Sequence, residues 1–363
     1  MSNRVSRRTF LQCSLLGGAM AGAAWADHAV EVHGVTIRSE QSFLGDPESR
    51  RIGLARSNTN PETSATLTLR EPSRFRILQF TDVHLFCTPQ NPDRDRKTLD
   101  DFVRLIELAE PDLLAVTGDL WHENPEGRGA EYQQFAVETV GNLGIPWLYT
   151  WGNHDLLGDY VKGHDVLAGA RNSLYRGGAT GGNYVVQVCD TAQKPVWRLV
   201  CLNSHSLGLQ PEQIDWVRAL ASKEESAVGT FAMFHIPLKQ YDDLWNNKQA
   251  SGIKLERVAC ELEHGAALAA LKQLKGLEAC ICGHDHINDY AGICEEVELI
   301  YGRATGYGGY GGERVPKGAK LYTVNCETGS YTWDTLTADG LRWHPQPGQQ
   351  IAHRKDAPWA KTS

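Results

Sequence analysis

The most constraining feature of this chain is a set of short polar clusters, each placed directly after a run of apolar residues. Apolar runs of this length, bounded by turn residues, indicate buried β-strands. Five such strand-end clusters occur in the sequence, and their polar members are Asp82, His84, Asp119, Asn153, His154, Asp155, His235, His284 and His286. The sequence therefore predicts a fold in which several buried strands end in side chains capable of chemistry.

The first three strands alternate with helical patterns. Strands are predicted at 75–80, 111–117 and 145–150, and apolar residues recur at helical spacing through 98–109 and 131–143. Strands alternating with helices are typical of parallel βαβ units, which bind ligands beyond the carboxyl ends of their strands. The fold class predicted is therefore α/β, with its site at one sheet edge.

The middle of the chain has a different pattern. The stretches 181–189 and 196–202 are predicted as successive antiparallel strands, and helices are expected at 211–220 and 261–274. Cys189 and Cys201 flank this hairpin and are a candidate disulfide pair.

The chain is predicted to have four segments. Residues 1–26 have the twin arginines Arg7 and Arg8, a short apolar run and a small-residue end at Ala26, which indicate a signal peptide of the twin-arginine type. The apolar run is shorter than the roughly 20 residues that a membrane-spanning helix needs. We expect an N-terminal extension at 27–70, a catalytic domain at 71–336 and a polar, poorly ordered C-terminal tail at 337–363.

This signal predicts where the protein acts and which partners it meets. It implies passage through the twin-arginine export machinery of a bacterium to the periplasm or the medium, with no stable membrane anchor. The formal charge of −8 argues against nucleic-acid binding, which favours a basic surface. An acidic protein still accepts phosphorylated substrates when bound cations reverse the local field.

The residue types in the clusters favour metal chemistry. Asp82 and His84 are two apart on an extended strand, so both project to the same side and can ligate one cation. A single cluster of this kind is equally consistent with an ordinary turn or a polar strand end. Five together favour a two-metal site, in which one carboxylate bridges ions about 3.5–4 Å apart.

Asp82-x-His84, Gly118-Asp119, Gly152-Asn-His-Asp155, His235 and Gly283-His-x-His286, in this order, resemble the signature of the calcineurin-like metallophosphoesterases. The resemblance extends from about residue 74 to residue 286. Further similarity at 75–82, 235–238, 283–289 and 305–310 resembles the subgroup that includes purple acid phosphatase 29 and the yeast dosage-dependent cell-cycle regulator phosphatase.

The resemblance implies a four-layer α/β/β/α sandwich that holds two divalent or trivalent metal ions. It places Asp82, His84 and His286 on one ion, Asn153, His235 and His284 on the other, and Asp119 between them. His154 would stabilise or protonate the substrate, and Asp155 would orient the His154 imidazole. The implied reaction is hydrolysis of phosphomonoesters in small phosphorylated molecules by a hydroxide that bridges the metals. A phosphodiesterase acting on cyclic nucleotides or lipid headgroups and a non-catalytic binding protein are the alternatives.

The sequence departs from purple phosphatases at one position. Those enzymes have a tyrosine ligand three residues after the bridging aspartate, where this chain has His122, so we expect a colourless or weakly coloured protein with Fe, Mn or Zn.

Tyr241, Tyr307 and Tyr310 are candidate pocket residues. The glycine-rich run 306–312 is consistent either with a phosphate cradle or with a tight loop.

Overall fold

The computed structural model describes residues 29–32, 35–38, 52–53, 63–223 and 228–361. The predicted signal peptide lies outside these residues. In chain order the strands are β1 (Ala29–Val32), β2 (Val35–Arg38), β3 (Ile52–Gly53), β4 (Ser64–Leu69), β5 (Phe75–Phe80), β6 (Leu113–Thr117), β7 (Trp147–Thr150), β8 (Tyr184–Cys189), β9 (Pro195–Cys201), β10 (Gly229–Met233), β11 (Ala250–Lys254), β12 (Leu277–Cys282), β13 (Asn288–Cys294), β14 (Val297–Tyr301), β15 (Ala319–Asn325), β16 (Ser330–Leu336), β17 (Arg342–Trp343) and β18 (Gln350–Ile351). The helices are α1 (Asp93–Ala109), α2 (Gly129–Asn142), α3 (Tyr160–Gly169), α4 (Pro211–Ala221), α5 (Lys239–Asn246) and α6 (Ala266–Leu271).

Two large sheets form the centre of the fold. The six-stranded sheet has the order β17-β16-β15-β5-β6-β7, and the ten-stranded sheet has the order β18-β11-β13-β14-β12-β10-β9-β8-β4-β3. Within the first sheet β5, β6 and β7 are parallel neighbours, and within the second β10 and β12 are parallel neighbours. The five strands that precede the polar clusters therefore lie side by side in two groups.

The alternation of apolar residues along the strands separates the two sides of each sheet. Leu199 of β9 and Phe231 of β10 face the core that includes the six-stranded sheet, whereas Val200 and Ala232 face the core under α4 and α6. Strands β9 and β10 are therefore apolar on both faces, which explains why each shows a continuous apolar run in the sequence.

Ring contacts confirm the order of the layers. Phe80 of β5 stacks on Phe102 of α1 with ring centroids 4.4 Å apart, so α1 covers the outer face of the six-stranded sheet. Phe231 of β10 meets Tyr322 of β15 at 5.8 Å, which brings the two sheets face to face. The predicted four-layer α/β/β/α sandwich is therefore confirmed.

Most predicted elements are present, with one helix much shorter than expected. Helix α4 begins at Pro211, and Gln210 and Gln213 exchange the reciprocal bonds of a capping box. Residues 261–265 were expected to be helical, but the Glu263 carboxylate accepts from the N–H groups of Gly265 and Ala267 and holds a turn there. Only Ala266–Leu271 form a helix.

The folded region extends beyond residues 71–336, the segment predicted to form the catalytic domain. Strand β4 pairs in parallel with β8, so residues before 71 belong to the ten-stranded sheet. The tail after 337 was expected to be poorly ordered, yet β18 pairs with β11, and Trp343 and Ile351 are buried in a small core. The apolar residues spaced within this polar segment supply the burial that orders it.

The proposed disulfide is wrong. Strands β8 and β9 are antiparallel, but Cys189 lies opposite Pro195 and Cys201 lies opposite Tyr184, at the two ends of the hairpin. Both thiols are free in the structure.

In the described parts of the chain, no helix combines the length and the apolar character needed to cross a bilayer.

Candidate metal centre

The loops that follow β5 and β6 hold their polar residues in an unusual backbone conformation. Asp82, His84 and Asp119 have φ angles of 52°, 51° and 54°, in the left-handed region that non-glycine residues rarely occupy. Backbone hydrogen bonds join the two loops, since the N–H groups of Val83 and His84 both donate to the carbonyl of Asp119. Left-handed residues concentrate at functional sites, where the surrounding structure compensates for their cost.

Two glycines allow the loops to approach closely. A Cβ at Gly118 would lie 2.4 Å from Nδ1 of His235, and a Cβ at Gly152 would lie 2.1 Å from Oδ1 of Asp119. Gly118 also has a φ of +89°, which side chains rarely adopt. Any larger residue at either position would displace a member of the cluster.

The first group of candidate ligands comprises Asp82, His84 and His286, all buried. Nε2 of His84 lies 3.0 Å from Nε2 of His286, and Nε2 of His286 lies 3.5 Å from Oδ1 of Asp82. The three ligand atoms lie within 4.8 Å of one another, so one ion fits among them.

The second group comprises Asp119, His235 and His284, with Asn153 beside it. Nε2 of His235 lies 3.1 Å from the side-chain oxygen of Asn153 and 3.3 Å from Nδ1 of His284. All seven residues predicted as ligands therefore converge from the ends of β5, β6, β7, β10 and β12.

Asp119 connects the two groups. Its Oδ2 lies 3.4 Å from Nε2 of His84 and 3.2 Å from Nε2 of His235. Its other oxygen, Oδ1, accepts a hydrogen bond from the backbone N–H of His154 at 2.9 Å, which fixes the direction of Oδ2. One oxygen facing both groups is the arrangement that a bridging carboxylate requires.

The donor set fits two metal ions. Nitrogen and oxygen ligands in this mixture suit Zn, Fe or Mn. Burial disfavours charge on all of these groups, yet the nearby imidazoles keep the pKa of Asp119 below its usual range. In His235 burial is opposed by Asp119 and Asp82, which raise the pKa of the imidazole to about 10. Buried carboxylates that remain charged provide the negative field that a cation needs.

Asp155 does not orient His154, so that prediction is wrong. The Asp155 carboxylate accepts from the backbone N–H groups of Gly152, Asp119 and Leu120 at 2.8 Å each, which ties the β6 loop to the β7 loop. The His154 ring instead contacts Glu123, whose Oε1 lies 2.8 Å from Nδ1. Glu123 therefore fixes the ring and leaves Nε2 of His154 available.

His122 contacts both neighbouring histidines. Its Nδ1 lies 3.1 Å from Nδ1 of His84, and its ring stacks on that of His154 with centroids 4.7 Å apart. When Nε2 of His84 binds a metal it carries no proton, so Nδ1 of His84 is the donor to His122. With a metal on Nε2, His122 would therefore hold His84 in the tautomer that carries its proton on Nδ1.

A cavity of about 530 Å³ opens on this cluster. Tyr310 lines it as expected, with its ring stacked on that of His286 at 4.0 Å and its hydroxyl donating to Glu256. The predictions for the other two tyrosines are wrong. Tyr241, on α5, is fully buried and donates to the carbonyl of Cys280, and the Tyr307 hydroxyl donates to Asp101 of α1.

The glycine-rich run packs directly on the ligand loops. A Cβ at Gly306 would lie 1.7 Å from the carbonyl oxygen of Val83, and one at Gly308 would lie 2.0 Å from that of His84. A Cβ at Gly309 would lie 2.4 Å from the His286 ring. Close approach of this segment to the metal ligands explains the glycines, and Gly308 and Gly309 line the cavity.

Three residues of the cavity region were missed by sequence reasoning. Glu123 follows the β6 cluster directly, and an acidic residue next to His122 is a signal that could have indicated it. Arg94 and Arg257 line the cavity itself. No sequence signal distinguishes these two from other surface arginines.

Comparison with known proteins agrees with this geometry. Residues 75–288 match the family described as calcineurin-like phosphoesterase, which is more than half of the chain. "Probable inactive purple acid phosphatase 28" of Arabidopsis thaliana is 25% identical over 340 residues, covering 79% of this chain and 83% of the plant protein.

Two further relatives belong to the subgroup suggested by the sequence. "Probable inactive purple acid phosphatase 29" of Arabidopsis thaliana is 24% identical and covers 69% of this chain and 77% of its own. "Phosphatase DCR2" of Saccharomyces cerevisiae is 26% identical, with coverage of 77% and 57% respectively. The family match, the sandwich fold and the convergent ligand residues lead to one conclusion: this chain belongs to the calcineurin-like phosphoesterases, which are phosphoric ester hydrolases.

Proposed function

We propose that this protein is an exported phosphatase that hydrolyses phosphomonoesters at a two-metal centre. The observation that carries the proposal is the position of Asp119, whose Oδ2 faces His84 and His235 at 3.4 and 3.2 Å. Bound there, two metal ions would supply charge stabilisation for a phosphoryl group and an activated water.

The residues of the chain supply the remaining steps. His154 lines the cavity, and its Nδ1 is held by Glu123, so Nε2 is the atom that can donate a hydrogen bond or a proton to the leaving oxygen. Asp155 and the two loop glycines fix the β6 and β7 loops, which keeps His154 and Asp119 in register. The pocket thus combines the candidate metal ligands with the His154 imidazole, whose position is fixed.

Export rests on the twin-arginine pattern at Arg7 and Arg8. The plant relatives carry the word inactive in their names, but this chain has every expected ligand residue as well as His154. An intact ligand set supports catalysis over the alternative of a binding protein.

Phosphate release from an aryl monoester and an aryl diester tests the proposal. The protein without its signal peptide is assayed after chelation and again after addition of Mn, Zn or Fe. We expect metal-dependent monoester hydrolysis that falls at least about a thousandfold in Asp119→Asn, because the bridging charge is lost. Hydrolysis of the diester alone would replace the proposal with the phosphodiesterase alternative, and no hydrolysis of either ester would contradict it.

A further inference from the structure

The cavity over the metal centre is larger than one phosphoryl group needs, and its outer wall carries two arginines. Arg94 lies in the first turn of α1, and Arg257 lies in the segment after β11. Two separate segments of the chain therefore each contribute an arginine to the lining of the same cavity. Its volume of about 530 Å³ falls within the range of small-molecule sites.

Within the described part of the chain, neither arginine has a side-chain partner that would explain its position. Among the residues that the structure describes, no hydrogen bond or ion pair involves the guanidinium of Arg94 or Arg257. Both side chains are exposed, so neither contributes to the core.

The acidic groups around the cavity, in contrast, are occupied. Glu256 accepts from the Tyr310 hydroxyl and from the backbone N–H of Ile287. Asp285 accepts from the Tyr301 hydroxyl at 2.6 Å. Of the Asp, Glu and Arg residues that line the cavity, the two arginines are therefore the ones whose side chains lack a hydrogen-bond partner among the described residues, in a chain whose formal charge is −8.

A guanidinium presents a planar fork of donors that matches a carboxylate or a phosphate. The reacting phosphoryl group is assigned to the metal centre and His154, so it does not account for the two arginines. We propose that the preferred substrates are phosphomonoesters carrying a second anionic group, which Arg94 and Arg257 bind. This inference rests on the proposed phosphatase function and names the substrate class of that same site.

A matched three-carbon series tests it: propyl phosphate, 3-(phosphonooxy)propanoate and propane-1,3-diyl bisphosphate. Wild-type protein is compared with Arg94→Gln, Arg257→Gln and the double variant. Arg104→Gln is the matched control, because it removes an exposed arginine from the same helix outside the cavity. The carboxylate and bisphosphate members distinguish the two sources of the second charge.

We expect kcat/KM to favour one or both of the substrates with a second anion by about tenfold or more over propyl phosphate, mainly through KM. Each single variant should reduce this preference, the double variant should abolish it, and Arg104→Gln should leave it unchanged. Added salt should weaken it in wild-type protein, because exposed charges are screened. Equal kcat/KM for all three esters, or a preference that survives in the double variant, would overturn the inference.

The inference and the proposed function fail in different ways. Calorimetric binding of the same three esters to the metal-loaded full chain measures the preference without turnover. Absence of hydrolysis with a binding preference that depends on both arginines contradicts the function but supports the second anion site. Hydrolysis of propyl phosphate without any preference supports the function and rejects the arginine site.

Discussion

Asp289 and Asp119 are both buried carboxylates, and their surroundings differ in kind. Asp289 of β13 accepts from Nε of Arg303 at 2.8 Å and from the Thr335 hydroxyl at 2.8 Å, and Lys320 of β15 contacts its other oxygen. Burial opposes the charge of Asp289, yet Lys320 and Arg303 keep its pKa below the usual range. This cluster, which links the two sheets, has a donor for each oxygen without any ligand.

The cluster around Asp119 is not complete in the same way. Its imidazole nitrogens face one another at 3.0 and 3.3 Å as well as facing the carboxylates, so several potential ligand atoms converge on the same small space. Cations among them would satisfy the nitrogens and the carboxylates together. The comparison separates a buried charge network that holds the fold from one arranged to receive ions.

The largest effect is expected from breaking the complete cluster. Asp289→Asn leaves Arg303 and Lys320 buried without their counter-charge, which should lower the free energy of unfolding by about 3–5 kcal/mol. Urea denaturation measures the loss.

Asp215→Asn is its control, because it removes an exposed partner of Arg218 and should cost less than about 1 kcal/mol. In the absence of urea, the folded Asp289→Asn variant should still bind metal ions. A similar loss in both variants would remove the structural role assigned to Asp289.

At the edge of the metal centre, His122→Ala removes the acceptor for Nδ1 of His84. We expect metal affinity to fall about 10- to 100-fold, since partners that fix the tautomer of a ligand have effects of this size. Titration of the chelated protein with the metal measures affinity without reference to activity. His122→Asn, which restores an acceptor oxygen, should recover part of the loss, and unchanged affinity in both variants would refute the assignment.

The smallest expected effect concerns the imidazole over the cavity. Glu123→Gln keeps an acceptor for Nδ1 of His154 but removes its charge, and we expect kcat to fall about tenfold while metal affinity stays the same. Steady-state kinetics of metal-loaded protein and metal titration measure the two quantities. An altered metal affinity with normal kcat would assign Glu123 to the metal centre instead of to His154.

The convergence of the candidate ligands was predictable because it depends on local rules. Buried runs and strand-end turns place Asp82, His84 and Asp119 at one edge before any tertiary contact is known. The expectation that Asp82 and His84 share one side of an extended strand is wrong, because both lie in a left-handed loop after β5. The role of Asp155 was not predictable, because three backbone N–H groups in folded loops compete for its carboxylate. The spacing of residues in the sequence does not show which backbone donors will reach this carboxylate.

The errors among the tyrosines have a similar origin. Tyr241 lies on α5, and which side of that short helix faces the core depends on its packing against neighbouring strands. Tyr307 contacts α1, because the position of that helix brings Asp101 within hydrogen-bond distance of the tyrosine hydroxyl. The arginines of the cavity likewise depend on how distant segments meet, which no local pattern reports.

The pairing of β5 with β15 limits when the six-stranded sheet can be completed. Strand β5 leads into Asp82 and His84, yet Leu78 pairs with Leu321, so one side of that strand stays open until synthesis passes residue 325. Contacts so distant in sequence slow folding and expose unpaired strand edges in the meantime. The nascent chain therefore carries Asp82, His84 and Asp119, three of the seven candidate ligands, through the synthesis of residues 120–325 without the complete sheet beneath them.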